Sequence, residues 1–313
     1  MTKILITGGA GNIGGALARK LVENNNYFIV IADNLITGSE TKLPSKEYTN
    51  WSFVNCDVNN YEDVSHLMSS NNFDYVFHYA ALVGVERTQN HPIKVLEDIE
   101  GIKNVLTLSK NTSVKRVFYS SSSEVYGEPV DLPQNEETTP LNSRVPYAVV
   151  KNVGESFFRS YYKEYGLEYT IFRFFNTYGP NQSEDFVISK FLKKAINNED
   201  ITIYGDGQQT RTFCYVKDNV DTCIKIFEEA LELNNVINIG GNDEYSILEL
   251  ANTIIKLTNS SSKIIHLPAL QEGDMTRRMP DNTKMKNILN RPLITLEEGI
   301  KLMLENPAFK KTS

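Results

Sequence analysis

The chain has 313 residues, enough for one large core or a large core with a smaller appended lobe, and its 41% hydrophobic and 23% charged residues are ordinary globular composition. A net charge of −7 with no basic stretch gives no electrostatic footprint for nucleic acid. The longest aliphatic runs, such as residues 28–32, are far below the roughly 20 residues of a membrane-spanning helix, and no secretory signal is expected at the start. A cytoplasmic protein is therefore expected.

In chain order the pattern alternates short apolar strands with amphipathic helices. Strands are predicted over Lys3 to Thr7, Tyr27 to Asp33, Phe53 to Asp57, Tyr75 to Ala80 and Arg116 to Ser120. Between them fall helices over Gly14 to Asn24, Tyr61 to Met68 and near Ile93 to Ser109. Such βαβ units with right-handed crossovers predict a Rossmann-like, doubly wound parallel sheet. A long helix follows over Pro146 to Tyr165, since proline suits its first position and Gly166 the residue past its end. A strand over Tyr169 to Phe175 then leads into a loop rich in Asn, Gly and Pro, Asn176 to Glu184, where a second lobe begins. The helix Lys217 to Leu233 and the strand Val236 to Ile239 return to the first lobe, and Ser246 with Glu249 forms a capping box for a helix to about Thr258. The expected division is residues 1–175, rejoined by 213–240, as the dinucleotide-binding domain. Residues 176–212 and 241–313 then form the smaller, C-terminal substrate-binding lobe.

Cys56, Cys214 and Cys223 contain no C-x-x-C pair and the four histidines no H-x-x-x-H spacing, so buried reduced thiols are expected and no metal. The segment Thr7 to Gly15 reads T-G-G-A-G-N-I-G-G after a strand and before a helix. Gly8 suits a tight turn, Gly11 a close approach to a pyrophosphate and Gly14 close helix packing, while the helix N-terminus favours the anion. Asp33, 19 residues beyond Gly14, is placed to accept the adenosine ribose hydroxyls and to repel a 2′-phosphate, which selects NAD over NADP. Asp57 suits either an adenine contact or a turn cap. Tyr147 and Lys151, four apart on the long helix, share one face, and an ammonium there favours the phenolate of a candidate base.

Across nearly its whole length the sequence resembles the extended short-chain dehydrogenase/reductases that act on sugar nucleotides. The matching segments are T-G-G-A-G-N-I-G, A-D-N-L-I-T-G, H-Y-A-A-L-V-G-V, S-S-S-S-E-V-Y-G, P-Y-A-V-V-K, N-T-Y-G-P-N-Q, I-Y-G-D-G-Q-Q-T-R and G-D-M-T-R-R-M-P-D. The resemblance implies NAD-dependent oxidation of a nucleotide-diphosphate sugar at C4, followed by epimerisation, dehydration or decarboxylation. It implies Ser122 as the hydroxyl assisting Tyr147, with Lys151 on the nicotinamide ribose, and adds Asn12, Ile13, Asn34, Val58 and Ala80 to the cofactor contacts. Asn176, Lys190, Arg211 and Arg277 or Arg278 become substrate contacts, of which one of the adjacent arginines faces solvent. The aromatic residues Phe157, Phe158, Tyr161, Tyr162 and Tyr165 suggest helix pairing in a homodimer, and the family context suggests polysaccharide biosynthesis. Asp98, Val150 and Ser189 depart from the family pattern, at positions where Asn, Ser and Pro are usual. Glu124, two residues after Ser122, resembles the acid of dehydratases and decarboxylases that acts beside C5, although Ser123 stands where the thymidine-type dehydratases carry Asp. The alternatives are a net 4-dehydrogenase releasing the 4-keto sugar and, outside enzymes, an NAD-sensing regulator.

Overall fold

A computed structural model describes residues 1–268 and 277–310. Its centre is a sheet of seven parallel strands: β1 (Thr2–Thr7), β2 (Tyr27–Asp33), β3 (Trp51–Asn55), β4 (Tyr75–His78), β5 (Arg116–Ser122), β6 (Glu168–Phe174) and β7 (Asn235–Ile239). They lie in the order β3-β2-β1-β4-β5-β6-β7, so the chain winds outward in both directions from β1 and β4. The helices that matter for the site are α1 (Asn12–Leu21), α2 (Tyr61–Ser69), α3 (Pro92–Asn111), α4 (Pro146–Tyr165) and α5 (Val216–Glu228).

The pleat explains why the central strands read as unbroken apolar runs. On β4 and β5, Phe77 and Phe118 face one side, where they stack at 4.3 Å between ring centroids, and Phe172 of β6 extends the row. That face is covered by α1 and α5, with Leu17 and Ile226 in the same cluster. Val76, Val117, Tyr119 and Ile171 face the other side, under Val105 of α3 and Phe158 of α4. Both faces are buried, as an all-parallel sheet requires, and this α/β sandwich is the predicted doubly wound fold.

Several boundaries differ from the sequence reading. The third strand ends at Asn55 rather than Asp57, because Asp57 begins a turn in which its carboxylate accepts from Asn59 N. The fifth strand continues to Ser122, since the polar serines pair with β6 through their backbones, Ser122 opposite Phe174. The helix expected to reach Leu233 stops at Glu228; Ala230, Glu232 and Asn234 take positive φ, and the carbonyls of Leu231 and Glu232 accept bonds from Arg116 and Thr170. The bounds of α4 and the capping box at Ser246 and Glu249 match the sequence reading.

Beyond the sheet, three small two-stranded sheets and four further helices among the described residues were not foreseen. The small sheets join Thr177–Tyr178 to Cys214–Tyr215, Thr210–Thr212 to Glu244–Ser246, and Ile201–Tyr204 to Ile264–Leu267. Strands of two to four residues are too short to show a period. Among the described residues, no helix is long and apolar enough to cross a membrane.

Candidate functional site

The C-terminal ends of the parallel strands open on a cavity of about 550 Å³, the position at which open α/β sheets bind ligands. At one end lies the glycine turn. Gly8 has φ +69°, and a Cβ there would sit 2.6 Å from the backbone nitrogen of Ala80. A Cβ on Gly14 would lie 2.4 Å from the Gly8 carbonyl oxygen. No side chain caps the start of α1, so its first N–H groups remain available, and Asn12 Oδ1 is buried without a partner. A pyrophosphate against this helix end would use those donors and the positive end of the helix dipole.

Asp33 ends β2 with its carboxylate held by Ala10 N at 3.0 Å and Leu35 N at 2.8 Å. A Cβ on Gly38 would come within 2.6 Å of Asp33 Oδ1, so that glycine keeps the carboxylate accessible. Ile13, Asn34, Asp57, Val58 and Ala80 line the same end of the cavity. Asp57 caps its own turn and also lines the cavity. Cys56 also lies here, and burial pushes its thiol up to about 12.

Farther along, β5 delivers Ser122 and a 3-10 turn, Ser123–Tyr126, carries Glu124, whose backbone N donates to Ser122 Oγ at 3.2 Å. The first turn of α4 brings Tyr147 into hydrogen-bond contact with Ser122. Lys151, one turn on, donates to the Ser120 carbonyl at 2.7 Å and lies over the Tyr147 ring, 5.6 Å from its centroid. Burial lowers Lys151 to about 8 against the opposing pull of Asp98. Burial, then the charge of Glu124, push the Tyr147 phenol upward, with the Ser122 hydrogen bond opposing. His78 is a core residue bonded to Thr7 at 2.9 Å, and burial with the nearby Lys151 charge lowers it to about 3.

Asp98 reaches the cavity from α3, its carboxylate accepting from Leu82 N at 2.7 Å and from Asn59 Nδ2 at 3.2 Å. Burial raises its pKa. Asn176 lines the opposite wall and donates to the Thr212 carbonyl at 3.0 Å. Arg278 is buried and extends into the cavity, where its Nη1 lies 3.5 Å from Glu124 Oε1.

Lys190 and Arg211 do not line the cavity, and of the two adjacent arginines Arg277 is the one that faces solvent. Arg277 points outward, 51% exposed in its side chain, and is held by Glu244 at 2.6 Å. Lys190 is on the solvent side of the helix Val187–Ile196, which buries Ile188, Phe191 and Leu192. Arg211 is buried outside the cavity wall, donating to the Thr210 carbonyl at 2.7 Å. The first four residues of the G-D-M-T-R-R-M-P-D segment, 273–276, lie outside the described residues. The sequence reading missed Asn59, Leu82, Gln182, Phe186 and Phe213 in the wall. Of these, Leu82 and Gln182 carried a signal, as the fifth residue of H-Y-A-A-L-V-G-V and the last of N-T-Y-G-P-N-Q. Among the described residues no cluster of three or more His, Cys, Asp or Glu side chains could hold a metal ion.

Residues 4–240 match the model of the NAD dependent epimerase/dehydratase family. UDP-glucuronic acid decarboxylase 5 of Arabidopsis thaliana is 35% identical, over 97% of this chain and 89% of the relative. The UDP-N-acetyl-alpha-D-glucosaminuronate decarboxylase of Bacillus cytotoxicus is 36% identical, over 96% of this chain and 95% of the relative. The crystal structure of a UDP-glucose 4-epimerase with UDP-glucose from Thermotoga maritima superposes with a TM-score of 0.90 at 32% identity, covering 97% of this chain and 98% of that one.

Proposed function

Since the chain belongs to the NAD dependent epimerase/dehydratase family, we propose that it is a decarboxylase of a UDP-linked uronic acid. It is an NAD-dependent enzyme of nucleotide-sugar chemistry, in which oxidation at C4 precedes epimerisation, dehydration or decarboxylation. The observation that supports decarboxylation among these fates is the buried guanidinium of Arg278 beside Glu124, in the same cavity as Ser122 and Tyr147. A guanidinium beside a carboxylate at the sugar end of the cavity suits a substrate that carries a carboxylate, which the planar fork of an arginine can hold through two hydrogen bonds. A neutral C6 hydroxymethyl group asks for no such partner.

The reading assigns each residue a task. Gly8, Gly11, Asn12 and Gly14 receive the dinucleotide's phosphates and Asp33 its adenosine ribose, which favours NAD over NADP. NAD⁺ held by these residues would supply the acceptor for the C4 hydride and its donor in the closing reduction. Tyr147, assisted by Ser122, removes the C4 hydroxyl proton, and Lys151 orients the cofactor end of the site. The product of that oxidation is a β-keto acid: its C5–C6 bond breaks, CO₂ leaves and the electron pair is held as the C4 enolate. Arg278 balances the C6 carboxylate on binding. Glu124 relays a solvent proton to C5, and Tyr147 returns its proton to the C4 oxygen, leaving a UDP-pentose. Asn176 contacts the sugar nucleotide from the opposite wall.

Incubation with UDP-uronic acids and UDP-hexoses, with products read by NMR and mass, tests the reading. A UDP-pentose and CO₂ from the uronic acid support it, whereas a C4 epimer of a UDP-hexose as the product transfers the assignment to a 4-epimerase. A homodimer through α3 and α4 belongs to the same proposal, supported by Ile93, Leu96, Tyr162 and Tyr165 on their outer faces, where Ile93 is 70% and Tyr165 53% exposed. Sedimentation at low micromolar concentration tests it. Three buried free thiols support a cytoplasmic location, where such a product would serve polysaccharide biosynthesis.

A further inference from the structure

Glu124 and Arg278 are 154 residues apart in sequence and sit on two irregular segments, neither of which is part of the central sheet. Something must hold those segments in register. Arg278 belongs to a stretch that pairs with the loop around Gln134: Gln134 N donates to the Met279 carbonyl at 2.7 Å, and Asp281 N donates to the Gln134 carbonyl at 2.8 Å. Glu124 belongs to the turn that ends in Tyr126.

One buried amide touches both. Asn238, fully buried on β7, donates from Nδ2 to the Gln134 carbonyl at 2.8 Å and to the Asp281 carbonyl at 3.3 Å. Its Oδ1 accepts from the Tyr126 hydroxyl at 2.7 Å. The direction of that last bond is fixed, because Arg173 Nη1 donates to the Tyr126 oxygen at 2.8 Å and so turns the phenol proton toward Asn238. Arg173 in turn is gripped by Glu155, with Nε to Oε1 at 2.8 Å and Nη2 to Oε2 at 2.7 Å, and Glu155 Oε1 accepts from Ser121 Oγ, next to Ser122. With the phenol proton turned toward Oδ1 and two carbonyls facing Nδ2, the amide can point only one way.

We infer that Asn238, with Tyr126, is a positioning pair that sets the Glu124–Arg278 geometry and thereby governs the step after C4 oxidation. The inference rests on the decarboxylase reading. Neither residue lines the cavity, so neither touches the reacting atoms.

The test uses the full-length enzyme with NAD⁺ and a UDP-uronic acid. Asn238→Asp keeps the shape but turns a carboxylate oxygen toward the two carbonyls that the amide served. Tyr126→Phe deletes only the bridging hydroxyl and serves if the first variant does not fold, with NAD⁺ binding as the check on folding. The expected result is a fall in CO₂ release of at least tenfold, with first-turnover reduction of NAD⁺ within about threefold of wild type, so that the 4-keto sugar accumulates. In an Arg278→Ala background the same substitutions should cost no more than a further twofold, because they act through Arg278. A merely structural role would lower both steps alike and multiply with Arg278→Ala, and that result overturns the inference. So does CO₂ release in both variants within twofold of wild type. If the wild type releases no CO₂ from any UDP-uronic acid, the decarboxylase reading itself falls and takes this inference with it.

Discussion

Glu155→Gln probes the buried charge pair on which the geometry of the serine loop depends. Each carboxylate oxygen of Glu155 accepts two hydrogen bonds: Oε1 from Ser121 Oγ at 2.7 Å and Arg173 Nε at 2.8 Å, Oε2 from Arg173 Nη2 at 2.7 Å and Arg159 Nη2 at 3.1 Å. Glutamine replaces one acceptor with a donor aimed at a guanidinium donor and leaves the Arg173 charge buried without a counter-charge. Removing one partner of a buried pair costs about 3–5 kcal/mol, and we expect a loss in that range from equilibrium urea unfolding followed by circular dichroism. The pH dependence has a definite sign. Burial alone would raise the Glu155 carboxyl, but the hydrogen bond and charge of Arg173 prevail and hold it below its ordinary value. The pair therefore contributes stability above the unfolded carboxyl's pKa of about 4.3 and loses it as pH falls through the lower folded value. The wild-type acid limb should be steeper than that of Glu155→Gln. A loss below about 1 kcal/mol, far short of what breaking a buried pair costs, together with parallel acid limbs, would refute the reasoning.

Three further substitutions test the cavity. Gly14→Ala places a methyl group 2.4 Å from the Gly8 carbonyl oxygen, and NAD⁺ affinity by calorimetry should fall at least tenfold. Tyr147→Phe should bind NAD⁺ and UDP-sugar as the wild type does while first-turnover reduction of NAD⁺ falls by about a thousandfold, within the range general-base catalysis commonly supplies; near-normal reduction would remove Tyr147 from its role. Asp33→Asn should reduce the preference for NAD over NADP in paired titrations, because it removes the charge that repels a 2′-phosphate while keeping an acceptor for Ala10 or Leu35.

What the sequence could reveal follows from how locally each feature is encoded. The glycine turn, Asp33 and the pair Tyr147 and Lys151 each sit within one strand-turn-helix unit or one helical turn, so spacing alone placed them together in the cavity. The bounds of α4 were legible because Pro146 and Gly166 mark them, Gly166 at φ +71°. The far wall was less so. Arg277 and Arg278 are chemically alike and adjacent, and the Glu244 that holds the first outside and the Glu124 that lies beside the second are brought there by tertiary structure. Lys190 and Arg211 matched family positions, but the Val187–Ile196 helix and the Thr210–Thr212 strand that orient them have no signal of their own. The Glu155–Arg173–Tyr126–Asn238 chain joins residues of one helix, two strands and a turn, and no spacing in the sequence announces it. The upward push of burial and Glu124 on the Tyr147 phenol is likewise a tertiary fact that a four-residue interval does not carry.

The central claim is that a carboxylate on the sugar is lost after oxidation at C4, within one site and with the cofactor restored. It is tested most directly by one reaction in D₂O with a UDP-uronic acid labelled with ¹³C at C6, followed by NMR. The account predicts labelled CO₂ in proportion to a UDP-pentose carrying a single solvent deuterium at C5, with no net accumulation of reduced nicotinamide. Recovery of the uronic acid with its label intact, while a UDP-hexose is converted to its C4 epimer by the same protein, would contradict it.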